Sequence, residues 1–279
     1  MSKMQDKYFP DVVGSDGRDF GKAVCIITGA SKGFGRCIAK EIALLLKPGS
    51  MFFLVARSGD KLRELQAELA ATRAGKAGLI TRCVVADLGL KDDVDQVIRE
   101  IREAASDIDI NQLLLINNAA SLGDVSRFAK SFTDLHEVNA YMSFNVSSAL
   151  SLTASVLEVF PRRQDLRRCV VNISSLCALQ PFPSWVLYCT GKAARDMMFK
   201  VLAEEEPDLR VLSYAPGPLD TDMLLQARTE SGDAGLKKSI AALHSQGEVL
   251  TCEESCSKLL KVLLEDEYPS GTHLDYHDV

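Results

Sequence analysis

Three polar residues in the second half of the chain have the types and the spacing that proton transfer at a carbonyl oxygen requires. Tyr188 lies thirteen residues after Ser175, and Lys192 follows four residues later. A phenol ordinarily loses its proton near pH ~10, so proton exchange at neutral pH needs a cation beside the ring and a polar partner opposite it. Residues four apart share one face of a helix, so Lys192 can be the cation and Ser175 the partner. The plainer alternative is an amphipathic helix on which Tyr188 and Lys192 only line the surface.

A glycine-rich run, TGASKGFG from Thr28 to Gly35, joins an apolar strand to a helical pattern. Glycine permits a tight turn and lets backbone N–H groups approach a pyrophosphate, whose charge is stabilised by the following helix N-terminus. The spacing is GxxxGxG, so the commoner GxGxxG fingerprint does not strictly apply, and a merely flexible turn is the alternative. We expect cofactor contacts from the whole loop: Gly29, Ala30, Ser31, Lys32, Gly33, Phe34 and Gly35.

The second apolar strand ends in Ala56-Arg57-Ser58. NAD-specific proteins carry an acidic residue at about this place for the ribose 2′-hydroxyl, whereas an arginine suits a 2′-phosphate. Lys32 adds a second cation. We therefore predict NADP(H) rather than NAD(H) as the cofactor, with Arg57 and Ser58 at its adenosine end. The alternative is that both cations are solvated surface charges.

Two further strand ends complete the expected nucleotide site. The third strand ends in Asp87-Leu88, where a carboxylate can accept a hydrogen bond from the adenine amino group. The fourth ends in Asn117-Asn118-Ala119-Ala120, where small residues allow the backbone to approach the adenosine ribose. We expect cofactor contacts from Asp87, Leu88 and Asn118. Each strand end could instead be an ordinary turn that is capped by its own side chains.

Six β-rich apolar runs alternate with helical patterns from Ala23 onward, and these elements must position the polar residues. The runs are AVCIITG, MFFLVAR, LITRCVVADL, QLLLINNAA, RRCVVNISS and LRVLSYAPG. The helical stretches are Phe34 to Leu46, Asp60 to Thr72, Lys91 to Ala105, Leu135 to Val159 and Trp185 to Glu206. Several runs are apolar on both faces, as buried parallel strands are. We predict an α/β fold with one doubly wound, Rossmann-type parallel β-sheet and helices on both faces.

Residues 21–279 are predicted to form a single nucleotide-binding domain, because α/β chains of this length often fold as one unit. Residues 1–20 lack periodicity and are predicted to be a mobile arm. An irregular stretch from Pro216 to about Gly235 follows the sixth strand and leads into a helical pattern through Leu243. Ligands bind beyond the carboxyl ends of such strands, so residues 218–245 are predicted to cover the substrate.

The overall composition argues against several classes of protein. The chain has 32 Lys and Arg against 38 Asp and Glu, a net charge of −6, and its basic residues are scattered, so we expect no nucleic acid partner. No apolar run approaches ~18 residues and the N-terminus lacks a signal core, so we expect a cytosolic protein without a membrane partner. The eight cysteines lie in apolar stretches and are predicted to be reduced thiols. CxxxC and HxxxH pairs at residues 252–256 and 273–277 have zinc-like spacing, but the helical segment between them predicts that they lie far apart, and we expect no metal.

Taken in order, TGASKGFG, ADL, NNAA, Asn145, Ser175 and the YxxxK pair resemble the short-chain dehydrogenase/reductase family, and Pro216-Gly217 stands where that family has a PG turn. The resemblance covers residues 22–279. It implies NADPH-dependent carbonyl reduction in which Tyr188 protonates the carbonyl oxygen as hydride reaches the carbon. It also implies that Lys192 lowers the phenol pKa and binds the nicotinamide ribose, that Ser175 holds the carbonyl oxygen, and that Asn145 ties a water to Lys192.

Four stretches narrow the resemblance to the members of this family that reduce pterin side-chain ketones in tetrahydrobiopterin synthesis: INNAASLGDVS, VVNISSLCALQPFPSWVLYCTGKAARDMMF, SYAPGPLDTDM and SGTHLDYHD. The implied substrates are sepiapterin and 6-pyruvoyltetrahydropterin, and the aspartate that grips the pterin in those members is Asp275 here. The implied substrate contacts are Ser175, Leu176, Tyr188, Gly217 and Asp275. The residues implied to close over the nicotinamide end are Leu219, Asp220, Thr221, Asp222, Met223 and Leu224.

The resemblance also implies a homodimer that pairs two long helices between subunits. One departure from the family is Ala120, which stands where the usual pattern NNAG has glycine. A broader-specificity carbonyl reductase of the same fold is one alternative. A nonenzymatic NADPH-binding protein is the alternative of another class, although the tyrosine and the lysine that such proteins can lose are both present.

Overall fold

A parallel β-sheet lies at the centre of the protein, whose computed structural model describes residues 18–105 and 108–279. Within these residues seven strands form one sheet in the order β3-β2-β1-β4-β5-β6-β7. The strands are β1 (Ala23–Thr28), β2 (Met51–Ala56), β3 (Ile80–Val85), β4 (Gln112–Asn117), β5 (Arg167–Ile173), β6 (Leu209–Ala215) and β7 (Thr272–Asp275). Every neighbouring pair is parallel, and the order reverses between β1 and β4. The predicted doubly wound α/β fold is therefore confirmed.

Helices connect the strands, as parallel pairing requires. They are α1 (Gly33–Ala43), α2 (Gly59–Ala71), the short α3 (Arg73–Lys76), α4 (Lys91–Ala105), α5 (Leu135–Met142), α6 (Ser148–Val159), α7 (Val186–Glu205), α8 (Asp222–Glu230), α9 (Ala234–Ser245) and α10 (Cys252–Glu265). Short 3₁₀ turns occupy Ala129–Ser131, Leu176–Ala178 and Tyr276–Asp278, and a π-helical turn, Ser143–Ser147, separates α5 from α6.

Apolar side chains are buried on both faces of the sheet. Every residue of β1, β2 and β4 is buried, whereas the edge strand β3 alternates with exposed positions. On one face the core includes Ile38, Leu62 and Leu259 of α1, α2 and α10. On the other it includes Val97 of α4 and Phe199 of α7. Continuous apolar strands are the pattern expected when helices cover both faces.

Three local predictions are wrong in detail. The stretch from Pro216 to Gly235, predicted to be irregular, contains α8, whose N-cap Thr221 accepts a hydrogen bond from the Leu224 N–H at 3.4 Å. The single helix predicted from Leu135 to Val159 is interrupted by the π-helical turn. The strand β7 was not predicted because Leu274 is the one apolar residue among its four, so it forms no apolar run.

The predicted N-terminal arm lies largely outside the described residues, which begin at Arg18. Within them Phe20 is buried, and its N–H donates to the Leu45 carbonyl oxygen at 2.9 Å, so the ordered core begins inside the segment predicted to be an arm. All eight cysteines lie in the described part of the chain and are free thiols. No helix in residues 18–105 and 108–279 is long and apolar enough to cross a membrane.

Candidate active site

The fold brings Ser175, Tyr188 and Lys192 together at the carboxyl end of β5. Ser175 caps the 3₁₀ turn after this strand, and its hydroxyl accepts a hydrogen bond from the Cys177 N–H at 3.2 Å. Tyr188 and Lys192 lie in the first two turns of α7, and both are buried. Lys192 Nζ donates to the Ile173 carbonyl oxygen at 2.6 Å and lies 5.5 Å from the centroid of the Tyr188 ring. The arrangement places a hydroxyl, a phenol and an amine around one small volume.

Burial has the largest effect on the pKa of the Tyr188 phenol. Desolvation raises the pKa of Tyr188 well above its ordinary value, while the Ser175 side chain and the charge of Arg195 act in the opposite direction. Burial also lowers the pKa of Lys192 to about 7. The role of Lys192 in lowering the phenol pKa during the reaction stays a prediction. A phenol with a raised pKa keeps its proton at pH 7, so donating that proton requires neighbouring cations to stabilise the phenolate that forms.

Asn145 lies at the π-helical turn between α5 and α6 and is buried. Its Oδ1 accepts from the Ser121 N–H at 2.8 Å, and its Nδ2 donates to the Tyr141 carbonyl oxygen at 3.0 Å. These bonds fix the side chain without a direct bond to Lys192, so a link between the two needs an intervening water. π-Helical turns often occur at functional sites because the widened turn re-aims a side chain.

Sequence reasoning missed Arg195, which lies on the same face of α7 as Tyr188 and Lys192. Its guanidinium is buried, donates to Asn172 Oδ1 at 2.8 Å and to the Ala119 carbonyl oxygen at 3.0 Å, and also bonds the Asn117 carbonyl oxygen. It thereby joins α7 to the ends of β4 and β5 while supplying a positive charge near the phenol. The signal that could have found it is spacing, since positions seven apart share a helix face.

Trp185 is a second residue that the sequence analysis did not assign to the site. Its indole packs edge to face against Tyr188 with ring centroids 5.7 Å apart, and its Nε1 donates to Ser231 Oγ at 2.9 Å. Ser231 directly follows α8, so the indole joins the segment after β6 to the tyrosine. From the first turn of α8, Met223 Sδ lies 3.9 Å from the Tyr188 hydroxyl. Met223, which belongs to the segment from Leu219 to Leu224 implied to close over the nicotinamide end, thus contacts the phenol.

The glycine loop is held against β4 by Asn118. The Asn118 Nδ2 donates to the Thr28 carbonyl oxygen at 2.9 Å and to the Gly29 carbonyl oxygen at 3.3 Å. A Cβ atom at Gly29 would lie 2.8 Å from that amide, and one at Gly35 would overlap both the amide and the Gly29 carbonyl group. Gly29 and Gly33 also have positive φ angles, 68° and 54°. The side chain of Asn118, predicted to bind cofactor, therefore holds the loop, and glycine at positions 29 and 35 is what permits this close contact.

Arg57 and Lys32 are exposed at this cradle and pair with other residues predicted to bind cofactor. Arg57 Nη1 lies 3.8 Å from Asp87 Oδ2, and its guanidinium lies 5.6 Å from the centroid of the Phe144 ring. Lys32 Nζ bonds Asp222 Oδ2 at 2.7 Å, with exposed side-chain fractions of 61% and 74%. Exposed pairs of this kind contribute ~0–1 kcal/mol, so a phosphate can displace the carboxylates at little cost. The cradle and its cations fit an NADP(H) molecule.

The remaining members of the predicted nucleotide site differ in exposure. Ser58 is exposed beside Arg57, whereas Leu88 is buried and offers little surface to a ligand. Ala30 and Phe34 are buried in the core beneath the loop, and Ser31 is half-buried. Because the side chains of Ala30 and Phe34 are buried, the predicted cofactor contacts of these two residues are assigned to their backbone groups.

The predicted substrate residues lie at the carboxyl ends of the strands, on the same side of the sheet as the catalytic residues. Gly217 follows β6 with φ 75°, and a Cβ there would meet Leu250 and the Tyr276 side chain next to Asp275. Asp275 ends β7, and its Oδ1 accepts from the His277 N–H at 3.0 Å. Leu176 is exposed beside Ser175. In residues 18–105 and 108–279, no group of three His, Cys, Asp or Glu side chains could hold a metal ion.

Comparisons with known proteins agree with this geometry. The family model for short chain dehydrogenases matches residues 23–232. Sepiapterin reductases of several vertebrates match most of the chain; that of Meriones unguiculatus is 51% identical over 258 residues, or 92% of this chain and 97% of that protein. The resemblance inferred from the motifs is therefore confirmed.

Two more distant relatives bear on the cofactor and on the substrate. The crystal structure of L-sorbose reductase from Gluconobacter frateurii, complexed with NADPH and L-sorbose, superposes with a TM-score of 0.72 at 26% identity and covers 94% of this chain and 97% of that one. A benzil reductase of Bacillus cereus, which forms (S)-benzoin, is 26% identical over 253 residues, or 88% of this chain and 96% of that protein.

Proposed function

The chain belongs to the short-chain dehydrogenase family and is an NADPH-dependent oxidoreductase, and from that premise we propose that it reduces the side-chain ketones of pterins. The proposed substrates are sepiapterin and 6-pyruvoyltetrahydropterin, as in tetrahydrobiopterin synthesis. The observation that carries the proposal is the placement of Asp275 at the carboxyl end of the sheet, where Ser175 also lies. Its carboxylate is suited to bind the amino-pyrimidine edge of a pterin. The identity to vertebrate sepiapterin reductases along most of the chain supports it.

In the proposed reaction NADPH supplies the hydride that adds to the carbonyl carbon. Tyr188 donates the proton to the carbonyl oxygen, and the C=O group becomes a CH–OH group. Ser175 donates a hydrogen bond to that oxygen and holds it near the phenol. The phenolate left on Tyr188 is stabilised by the buried positive charge of Arg195 and by Lys192 when that amine is protonated.

The glycine loop and the cations beside it bind the other end of the cofactor. The backbone from Gly29 to Gly33 would hold the pyrophosphate at the N-terminus of α1, and Arg57 and Lys32 would bind the 2′-phosphate. Met223 and its neighbours in the segment from Leu219 to Leu224 cover the nicotinamide end. Trp185 ties this cover to the tyrosine through Ser231.

Two properties of the whole molecule belong to the same proposal. The long helices α6 and α7 expose the apolar side chains of Leu150, Met197 and Val201, with exposed fractions of 53%, 61% and 45%. These side chains support a homodimer that pairs the two helices between subunits. Free thiols at all eight cysteines support a location in the reducing cytosol.

Asp275→Asn tests the pterin assignment. Asparagine keeps the volume and can still cap the turn at His277, but it replaces one acceptor oxygen with a donor group. Loss of charge-assisted hydrogen bonds worth ~1.5–3 kcal/mol should raise KM for sepiapterin by about 10- to 150-fold. Initial rates of NADPH oxidation measure KM for sepiapterin and for a small diketone with wild type and variant. Equal losses for both substrates would refute the assignment.

A broader carbonyl reductase that acts on diketones is the second candidate. The resemblance to a benzil reductase favours it, since that relative matches 88% of the chain. Under this alternative benzil is reduced with a kcat/KM at least equal to that of sepiapterin, and Asp275→Asn leaves both values within twofold of wild type. Under the pterin proposal, sepiapterin has the higher kcat/KM and loses it in the variant.

A further inference from the structure

The carboxylate of Asp196 connects three parts of the site and has no role in the proposed chemistry. Asp196 lies on α7 one turn beyond Lys192. Its Oδ1 accepts from Ser174 Oγ at 2.5 Å and from Asn172 Nδ2 at 2.9 Å, and its Oδ2 lies 2.6 Å from His273 Nδ1. Ser174 directly precedes Ser175. One side chain thus joins the catalytic helix, the end of β5 and the last strand.

The partner of Asp196 on the last strand holds the element that carries Asp275. β7 is a four-residue edge strand that pairs with β6, so one row of backbone hydrogen bonds binds it to the sheet. His273 and Asp275 are two residues apart and therefore point to the same face of the sheet, toward α7. Leu274, between them, packs against the core on the opposite face. The His273 side chain ties the Asp275 face of β7 to the catalytic helix.

The Asp196–His273 contact is well shielded from solvent. The exposed side-chain fractions are 14% and 16%. The other ring nitrogen, His273 Nε2, is buried without a hydrogen-bond partner among the described protein groups, so the bond to Asp196 sets the orientation of the ring. A tightly packed apolar side chain would avoid a buried polar atom without a partner. Stability alone therefore gives no reason for a histidine at this position.

We propose that Asp196 and His273 form a positioning bridge that fixes Asp275, and with it the pterin ring, relative to Ser175 and Tyr188. The inference rests on the proposed function, in which Asp275 grips the pterin. Hydride and proton transfer need reacting atoms within a few tenths of an ångström of their productive places, and an edge strand of four residues does not supply that precision by itself. The bridge supplies it by joining the substrate-holding strand directly to the helix that carries the tyrosine.

The variant His273→Phe removes the bridge and fills a similar volume. It should raise KM for sepiapterin about 10-fold, while kcat/KM for a small diketone, which Asp275 does not hold, and Kd for NADPH stay within twofold of wild type. The matched control is His273→Asn, whose amide N–H group lies near the place of Nδ1 and keeps the bond to Asp196. Its KM for sepiapterin should stay within threefold of wild type. The unchanged Kd for NADPH shows that each variant is folded.

A double-mutant cycle separates positioning from a merely structural role. In the Asp275→Asn background, His273→Phe should add less than a twofold change in KM for sepiapterin, because the group that the bridge positions no longer grips the substrate. A 10-fold effect that persists in that background, or equal losses for diketone and sepiapterin, would overturn the bridge. If Asp275→Asn raises KM and His273→Phe does not, the bridge alone is refuted. If Asp275→Asn itself leaves KM unchanged, the pterin assignment and the bridge both fail.

Discussion

The preference for NADPH should depend on one exposed guanidinium, and Arg57→Ala removes it. Arg57 directly follows β2, and its nearest charged neighbour is the Asp87 carboxylate at 3.8 Å. Its side chain is 68% exposed, so truncating it to alanine should not unfold the protein. The substitution therefore isolates binding of the 2′-phosphate.

The expected loss follows from the type of contact. A hydrogen bond between charged groups contributes ~1.5–3 kcal/mol, which corresponds to a rise of about 10- to 150-fold in Kd for NADPH. Lys32→Ala should cost less, because Lys32 is already engaged by Asp222 at 2.7 Å and must exchange that carboxylate for the phosphate. NADH lacks the phosphate, so its Kd should stay within about twofold in both variants.

The assay is a fluorescence titration of wild type, Arg57→Ala, Arg57→Lys and Lys32→Ala with NADPH and with NADH at fixed ionic strength. Arg57→Lys keeps the charge but loses the planar fork and should fall between wild type and Arg57→Ala. Arg162→Ala is the matched control, since Arg162 is also exposed and pairs with Asp208. Asp208 lies just before β6, at the amino end of the strands and so on the side of the sheet away from the cofactor loop. An equal loss for NADPH and NADH in Arg57→Ala, or a loss for NADPH below threefold, would refute the reasoning.

Two further predictions concern stability. Burial lowers the pKa of Lys192 from 10.5 to about 7, so between these pH values the unfolded chain binds a proton that the folded protein does not, and the free energy of unfolding should rise with pH. Lys192→Met should lack this rise, a difference of about 4 kcal/mol by pH 10 in urea titrations, and parallel pH profiles would contradict it. Gly35→Ala should lower the free energy of unfolding by ~1–3 kcal/mol, because its Cβ overlaps the Asn118 amide, and should weaken NADPH binding. Gly235→Ala, in the exposed first turn of α9, is the control and should raise the free energy of unfolding by up to ~1 kcal/mol. A change of the same sign in both glycine variants would count against a close-packed loop.

Local sequence pattern was enough to predict most of the sheet and the start of the site. Buried parallel strands read as continuous apolar runs, which is why β1, β2 and β4 were found at nearly their observed bounds. The placement of Tyr188 and Lys192 on one helix face followed from their spacing of four. The strand β7 was missed because Leu274 is its one apolar residue. The helix α8 was missed because its large apolar residues form one run, from Met223 to Leu225, without helical periodicity.

Contacts between distant parts of the chain could not be read from any local pattern. Arg195 bonds the Asn117 carbonyl oxygen, 78 positions earlier, and Asp196 meets His273, 77 positions later. The raised pKa of Tyr188 could not be predicted from sequence for the same reason, because desolvation depends on the packing of the whole site. Spacing predicts which groups can meet, and burial decides their charge.

The proton-donating phenol is the central claim, and Tyr188→Phe tests it most directly. The measurement is the initial rate of NADPH oxidation at saturating sepiapterin and pH 7, with wild type and variant compared at equal concentrations of folded protein. Among residues 18–105 and 108–279, the hydroxyl's one hydrogen bond is a weak one to Met223 Sδ at 3.9 Å, so the variant should fold and bind NADPH within twofold of wild type. Loss of the proton donor should lower kcat by at least ~10²-fold. A variant that oxidises NADPH at the wild-type rate would contradict the account.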